Sequence, residues 1–304
     1  MTNKFTKHLA LSTALLGMMV GGAWAADPEP MTDELLFAAI FGLSIGAHDI
    51  NGTEGDPDIT EGTELTFAGQ GAVSIPFGDM FSAQLDVQTE FYDHAGDEDN
   101  AQSASMIGGH LSLRDPGMGL IGLFAGAGLG TNEDSSGGGK GLGFLGGVEA
   151  QAYLGNFTLY GQVGYADFVV DDSSPDDEGF TDGWFAAAEA RYFIHEDFMI
   201  HANVAYGETE SYTDGEDAGE IWNWGAGAKL RLSDSMPIYG TLDYRGGIYT
   251  DAENNTEEVT EHAVLVGLAF AFGAPSLMEN DRRGATLSTP MLPARAAAYT
   301  EAVD

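Results

Sequence analysis

Read with a step of two, the chain divides into about a dozen segments of 10 to 14 residues, each with one apolar parity and one small or polar parity. Met80 to Tyr92 is the clearest. Phe81, Ala83, Leu85, Val87 and Phe91 share one face; Ser82, Gln84, Asp86, Gln88, Glu90 and Tyr92 share the other. A soluble β-sandwich can contain such a strand. What constrains the fold further is the spacing: the gaps alternate strictly, short then long. That rhythm predicts an all-β, antiparallel up-and-down barrel, with tight turns at one rim and loops at the other.

Twelve strands are expected. The first spans about 34–47, with Leu35, Phe37, Ala39, Phe41, Leu43 and Ile45 outward, although Asp33 to Phe41 also fits a helix. The others span about 63–75, 80–92, 103–114, 119–130, 142–154, 157–169, 182–194, 198–210, 220–232, 237–249 and 259–272. Each is long enough for the roughly 9 to 11 tilted residues that cross a bilayer. The short gaps hold Pro, Gly, Asp and Asn, which suit tight turns. The long gaps hold acidic runs such as Asp97-Glu98-Asp99 and Asp176-Asp177-Glu178. Six long and five short gaps place both chain ends at the short-turn rim.

Residues 1–25 read as a secretory signal: Lys4 and Lys7, a short apolar core from Leu9 to Val20, and the small-x-small site Ala23-Trp24-Ala25. Residues 26–33 then form a short leading segment, 34–272 the barrel, and 273–304 a tail. The chain has no cysteine, so no disulfide framework holds it together. Its 43 glycines follow no Gly-x-y period, which excludes collagen. Without the signal, nine bases face 48 acids, a net charge of −39. Such a chain cannot neutralise phosphates, so nucleic acid is excluded as a partner.

Aromatic residues mark the ends of the apolar faces. Phe91, Trp184, Tyr206 and Trp222 lie outward near the long gaps; Phe81, Phe157, Tyr192, Phe198 and Phe272 lie outward near the short ones. Two such belts suit the two interfaces of a membrane. Thr260 to Phe272, with Val264, Val266, Leu268, Phe270 and Phe272 outward, resembles the closing strand of Gram-negative outer-membrane barrel proteins of the porin-like kind. The resemblance covers 34–272 and is one of architecture. It implies a cell-outer-membrane location, outer-membrane lipid and the barrel-insertion machinery as partners, and short turns facing the periplasm. The sequence departs from the pattern in the 32 residues that follow Phe272, where many such proteins stop. They contain Asp281-Arg282-Arg283-Gly284 and a helix-compatible stretch from Ala294 to Ala302. Whether they lie in the periplasm or enter the lumen is open.

The inward parity carries the charge. Arg114, Arg191, Lys229, Arg231 and Arg245 are five of the nine bases, and Asp86, Glu90, Glu149, Glu189, Asp243 and Glu261 face inward with them. Opposed charges in a lumen can filter solutes at a constriction; they can equally form an ion-pair network that holds a narrow barrel shut. Gly122, Gly126, Gly128, Gly143 and Gly147 leave room inside.

Three other patterns carry little. Asp49-Ile50-Asn51-Gly52-Thr53 starts like a calcium loop but has Glu54 and Thr60 at the sixth and twelfth positions. Gly137-Gly138-Gly139-Lys140-Gly141 lacks the Ser or Thr and the helix of a phosphate loop. His110 and Ser112 share an inward face, unlike the lipid-facing pair of outer-membrane phospholipase, and have no evident orienting group. No metal site, cofactor or catalytic residue is expected. The expected function is passive diffusion of small solutes, with a preference for cations. A non-conducting structural or surface-interaction barrel is the main rival, and a phospholipase-type enzyme the remote one.

Overall fold

The computed structural model describes residues 37–51, 62–78, 80–93, 101–133, 140–170, 182–209, 219–250, 258–292 and 294–295. Twelve strands follow one another in order: β1 (Ala38–Asn51), β2 (Gly62–Phe77), β3 (Phe81–Asp93), β4 (Ala101–Asp115), β5 (Gly119–Glu133), β6 (Lys140–Leu154), β7 (Phe157–Val170), β8 (Asp182–His195), β9 (Phe198–Thr209), β10 (Glu220–Arg231), β11 (Ile238–Thr250) and β12 (Glu258–Phe272). A short helix, α1 (Leu277–Arg283), follows β12, and Leu292, Ala294 and Arg295 are helical further on. Each strand pairs antiparallel with its sequence neighbours, and β1 pairs with β12 to close the barrel. No edge remains unpaired, which is the condition a sheet must meet to sit in hydrocarbon.

The strand ends agree with the period-two reading to within a few residues, except at β1. That strand begins at Ala38 and runs to Asn51, so it lies four residues further along than the sequence suggests. Register sets the shift: Ala39 opposes Phe272 and Asn51 opposes Thr260 along the closing seam. Pairing on both sides also decides against the helical alternative for the part of that segment the structure describes. The signal segment, the acidic runs and most of the calcium-like and glycine-rich stretches lie outside the described residues.

Parity does the rest. Leu43, Leu111, Ile121, Leu123 and Phe144 are each more than 60% exposed on the outer wall. The inward parity of the same strands is polar and buried: Ser82, Gln84, Asp86, His110, Ser112 and Arg114 are all under 10% exposed. This molecule is inside out relative to a soluble protein. Among the described residues no helix is long and apolar enough to cross a membrane, which does not bear on crossing by strands.

The two aromatic belts are populated. Near the long-loop rim Trp184, Tyr206 and Trp222 pack side by side, with ring centroids 5.2 and 4.6 Å apart. At the short-turn rim Phe157 meets Tyr192 at 4.5 Å, and Phe81 and Phe272 are exposed while Phe198 is half-buried. Phe91 departs from the expectation of an exposed belt residue. It is only 5% exposed, opposite Phe67 across the β2–β3 pair.

The tail does not leave the barrel. At Gly273 the chain turns with φ +86°, where a side chain's Cβ would fall 2.2 Å from the Phe37 carbonyl oxygen. Ser276 then caps α1: its hydroxyl accepts from the Glu279 N–H. From Gly284 to Arg295 the chain climbs inside the barrel, from the short-turn end toward the long-loop half.

Candidate functional site in the barrel lumen

Alternation along each strand points the charged row inward, and the tail threads between the charges. The eleven charged residues expected to face inward do not make a ring. They separate into stations along the axis, and five of them, Asp86, Glu90, Arg114, Arg191 and Arg231, bond the tail directly.

At the short-turn rim Arg231 bonds Asp197 at 3.1 Å and donates to the Pro275 carbonyl at 2.8 Å. Asp197 in turn accepts from the Leu277 N–H at 3.2 Å. One level up, Arg191 donates to Asp281 and to Glu189, both at 2.7 Å, and to the Thr286 carbonyl at 3.1 Å. Thr158 donates to the same Asp281 carboxylate. Arg114 donates to the Gly284 carbonyl at 2.7 Å.

In the middle His110 sits between two carboxylates, Asp86 at 2.7 Å and Glu149 at 2.9 Å. Neither orienting group is evident from residue order alone, because they come from β3 and β6. Ser112 does not face His110; its hydroxyl pairs with that of Ser82 at 2.7 Å. The Thr289 N–H and hydroxyl both donate to Asp86, at 3.0 and 3.1 Å.

Toward the long-loop half, Glu90 accepts two hydrogen bonds from Arg295, at 2.6 and 3.0 Å, and one from Arg245 at 2.7 Å. Tyr92 donates to the same carboxylate. Arg245 also lies 3.4 Å from Glu261, which faces His48 at 3.1 Å. Burial and the like charge of Arg245 disfavour the Arg295 cation. The Glu90 carboxylate outweighs both and holds Arg295 above its ordinary range. Above these groups Met291, Leu292 and Ala294 close an apolar layer with Met106, Phe124, Phe185 and Ile221.

Lys229 and Asp243 are set apart from the tail's anchors. With Glu189, His201 and Asn203 they border a cavity of about 410 Å³ beside the tail, whose wall continues through β1, β2, β3, β7 and β12. His201 links this wall, 3.0 Å from Asp243 and 3.4 Å from Glu189. Among the described residues no group of His, Asp and Glu has the arrangement of a metal site.

Sequence reasoning did not find the tail's part in this site: Asp281, Thr289 and Arg295. One signal was present. Arg282, Arg283 and Arg295 are three of the four bases not on the inward parity, a concentration of scarce bases in a segment that follows a barrel with six inward acids. Part of the room attributed to glycines is occupied by the tail. A Cβ on Gly126 would lie 2.8 Å from Thr289 Cγ2.

No family model and no curated protein matches the sequence. Solved structures with a similar shape are outer-membrane barrels. The outer-membrane channel of Pseudomonas putida F1 is 13% identical, covering 81% of this chain and 100% of its own, with a TM-score of 0.49. The translocator domain of the autotransporter NalP from Neisseria meningitidis is 12% identical, covering 88% and 97%, at 0.44. The CymD monoaromatic hydrocarbon channel is 8% identical, covering 78% and 89%, at 0.47.

Proposed function

We propose that the protein is an exported barrel of the Gram-negative outer membrane that serves as a narrow, non-enzymatic channel for small solutes and favours cations. Its C-terminal segment fills one side of the lumen and restricts the path to the other. Membrane insertion is supported by the outer wall: exposed Leu, Ile, Val and Phe around the closed barrel would be a severe aggregation hazard in water. Lipid removes that hazard, and the aromatic clusters suit its interfaces.

The observation that carries the channel reading is the cavity beside the tail, which charged and amide side chains help to line. A barrel of this strand number is wider than one closed by its own side chains. Here the tail takes up part of the surplus, and Glu189, Asn203, Lys229 and Asp243 are among the groups that border what remains. An acidic outer rim, from runs such as Asp97-Glu98-Asp99, would concentrate cations at the mouth. Against catalysis stands the separation of Ser112 from His110. The non-conducting rival draws support from the number of bonds that hold the tail in place.

Conductance across planar bilayers under a salt gradient tests the reading. The expected outcome is small unitary steps with a cation-selective reversal potential. Lys229→Glu should strengthen the selectivity, because Lys229 borders the cavity; Arg231 and Arg245 are committed to Asp197 and Glu90 and are poorer probes. A bilayer that stays sealed removes the channel and leaves the structural barrel.

A further inference from the structure

We propose that the inner wall of β3 to β9 is a peptide-recognition groove, and that its resident ligand is this chain's own segment Gly284 to Arg295, which can exchange with a second copy of that sequence. The proposal goes beyond conduction and does not depend on it.

Three independent observations carry it. First, the barrel is complete without the segment. All twelve strand pairs close on one another, and among the described residues one backbone–backbone hydrogen bond, Met278 N–H to the Glu196 carbonyl, joins the segment beyond Ser276 to the wall. Withdrawal leaves every ladder intact.

Second, the wall reads the segment's main chain with side chains. The Gln84 amide accepts from the Leu287 N–H at 3.1 Å and donates to the Leu287 carbonyl at 2.6 Å. Asp86 takes the Thr289 N–H, and Gln88 donates to the Thr289 carbonyl at 2.7 Å. Gln162 donates to the Ser288 carbonyl at 3.0 Å. Successive inward residues of β3 thus meet successive polar groups of an extended chain, as a peptide-binding surface does.

Third, glycines shape the seat. A Cβ on Gly108 would fall 1.6 Å from Thr289 Oγ1, and one on Gly207 would fall 3.1 Å from Leu292 Cδ2. The wall therefore selects a small hydroxyl residue facing Asp86, apolar residues just beyond it, and an arginine six positions on to meet Glu90. The ligand class is a peptide of that pattern, non-helical through Leu287 to Thr289 and helical at its arginine end, where the Arg295 N–H donates to the Met291 carbonyl at 3.0 Å.

The chain contains no cysteine, so Met291→Cys supplies a single buried thiol in the full-length protein. Labelling by a membrane-impermeant maleimide then reports release. In lipid vesicles labelling should be slow. Excess synthetic peptide of residues 277–295 should speed it at least tenfold and saturably, and a peptide carrying Thr289→Val with Arg295→Ala should not. Gly108→Ala in the full chain should speed labelling with no peptide added. Should Met291→Cys fail to fold, the natural chain is titrated with fluorescent 277–295 peptide, and saturable anisotropy competed by unlabelled peptide is expected. Labelling unchanged by the peptide, or absence of such binding, overturns the groove. A sealed bilayer would leave this result untouched, so the two proposals fail separately.

Discussion

Replacing Glu90 by glutamine should destabilise the barrel more than removing Arg295, although both break the same contact. Glu90 serves two guanidinium groups, Arg245 at 2.7 Å and Arg295 at 2.6 and 3.0 Å, with side chains 10 to 13% exposed. Glutamine keeps the shape and one acceptor but loses the charge. It leaves two buried cations facing one another. Breaking a buried pair by removing one partner costs on the order of 3–5 kcal/mol; Glu261, 3.4 Å from Arg245, offsets part of that, so about 3 kcal/mol is expected. Arg295→Ala orphans no charge, because Glu90 retains Arg245 and the Tyr92 hydroxyl. Its cost is that of charge-assisted hydrogen bonds, about 1.5–3 kcal/mol at most. If the tail frees itself before the barrel unfolds, its global cost falls further. Urea unfolding in vesicles, followed by circular dichroism, gives both values, and the double variant gives their coupling. Equal costs, or a larger loss for Arg295→Ala, would refute the view that Glu90 neutralises two buried cations.

Other outcomes follow from the same geometry. Leu123→Arg, on an outward position 62% exposed, should cost about 2–4 kcal/mol of folding stability in vesicles if the position lies near the bilayer midplane; no loss would argue against lipid contact. Asp281→Asn should loosen the foot of the tail by weakening the Arg191 contact, and should raise protease cleavage near Gly284 without changing the strand content seen by circular dichroism. Ser112→Ala should cost about 1–3 kcal/mol of stability, since the buried Ser82 hydroxyl loses its partner, and should alter no lipid-hydrolysis reading.

Much of the architecture was legible because the pleat repeats every two residues. Alternation assigns Leu85 outward and Asp86 inward from local order alone, and loop lengths then order the twelve strands. The first strand was the least legible. Its bounds follow from partners more than two hundred residues away, Phe272 and Thr260, and no local signal reports a seam. Parity likewise assigned Arg191, Asp86 and Glu90 to the lumen.

Which charges meet was a different matter. His110 finds Asp86 and Glu149 because three separate strands bring them to one level, and Arg295 reaches Glu90 across 205 positions of chain. The tail's path was open from sequence because nothing periodic marks it; its main chain is satisfied by glutamines and carboxylates on the wall rather than by a ladder. Local chemistry is written in the order of residues, so it specifies strand, face and turn. Long-range neighbours depend on closure and register, and these decided that the lumen holds the protein's own C-terminal segment.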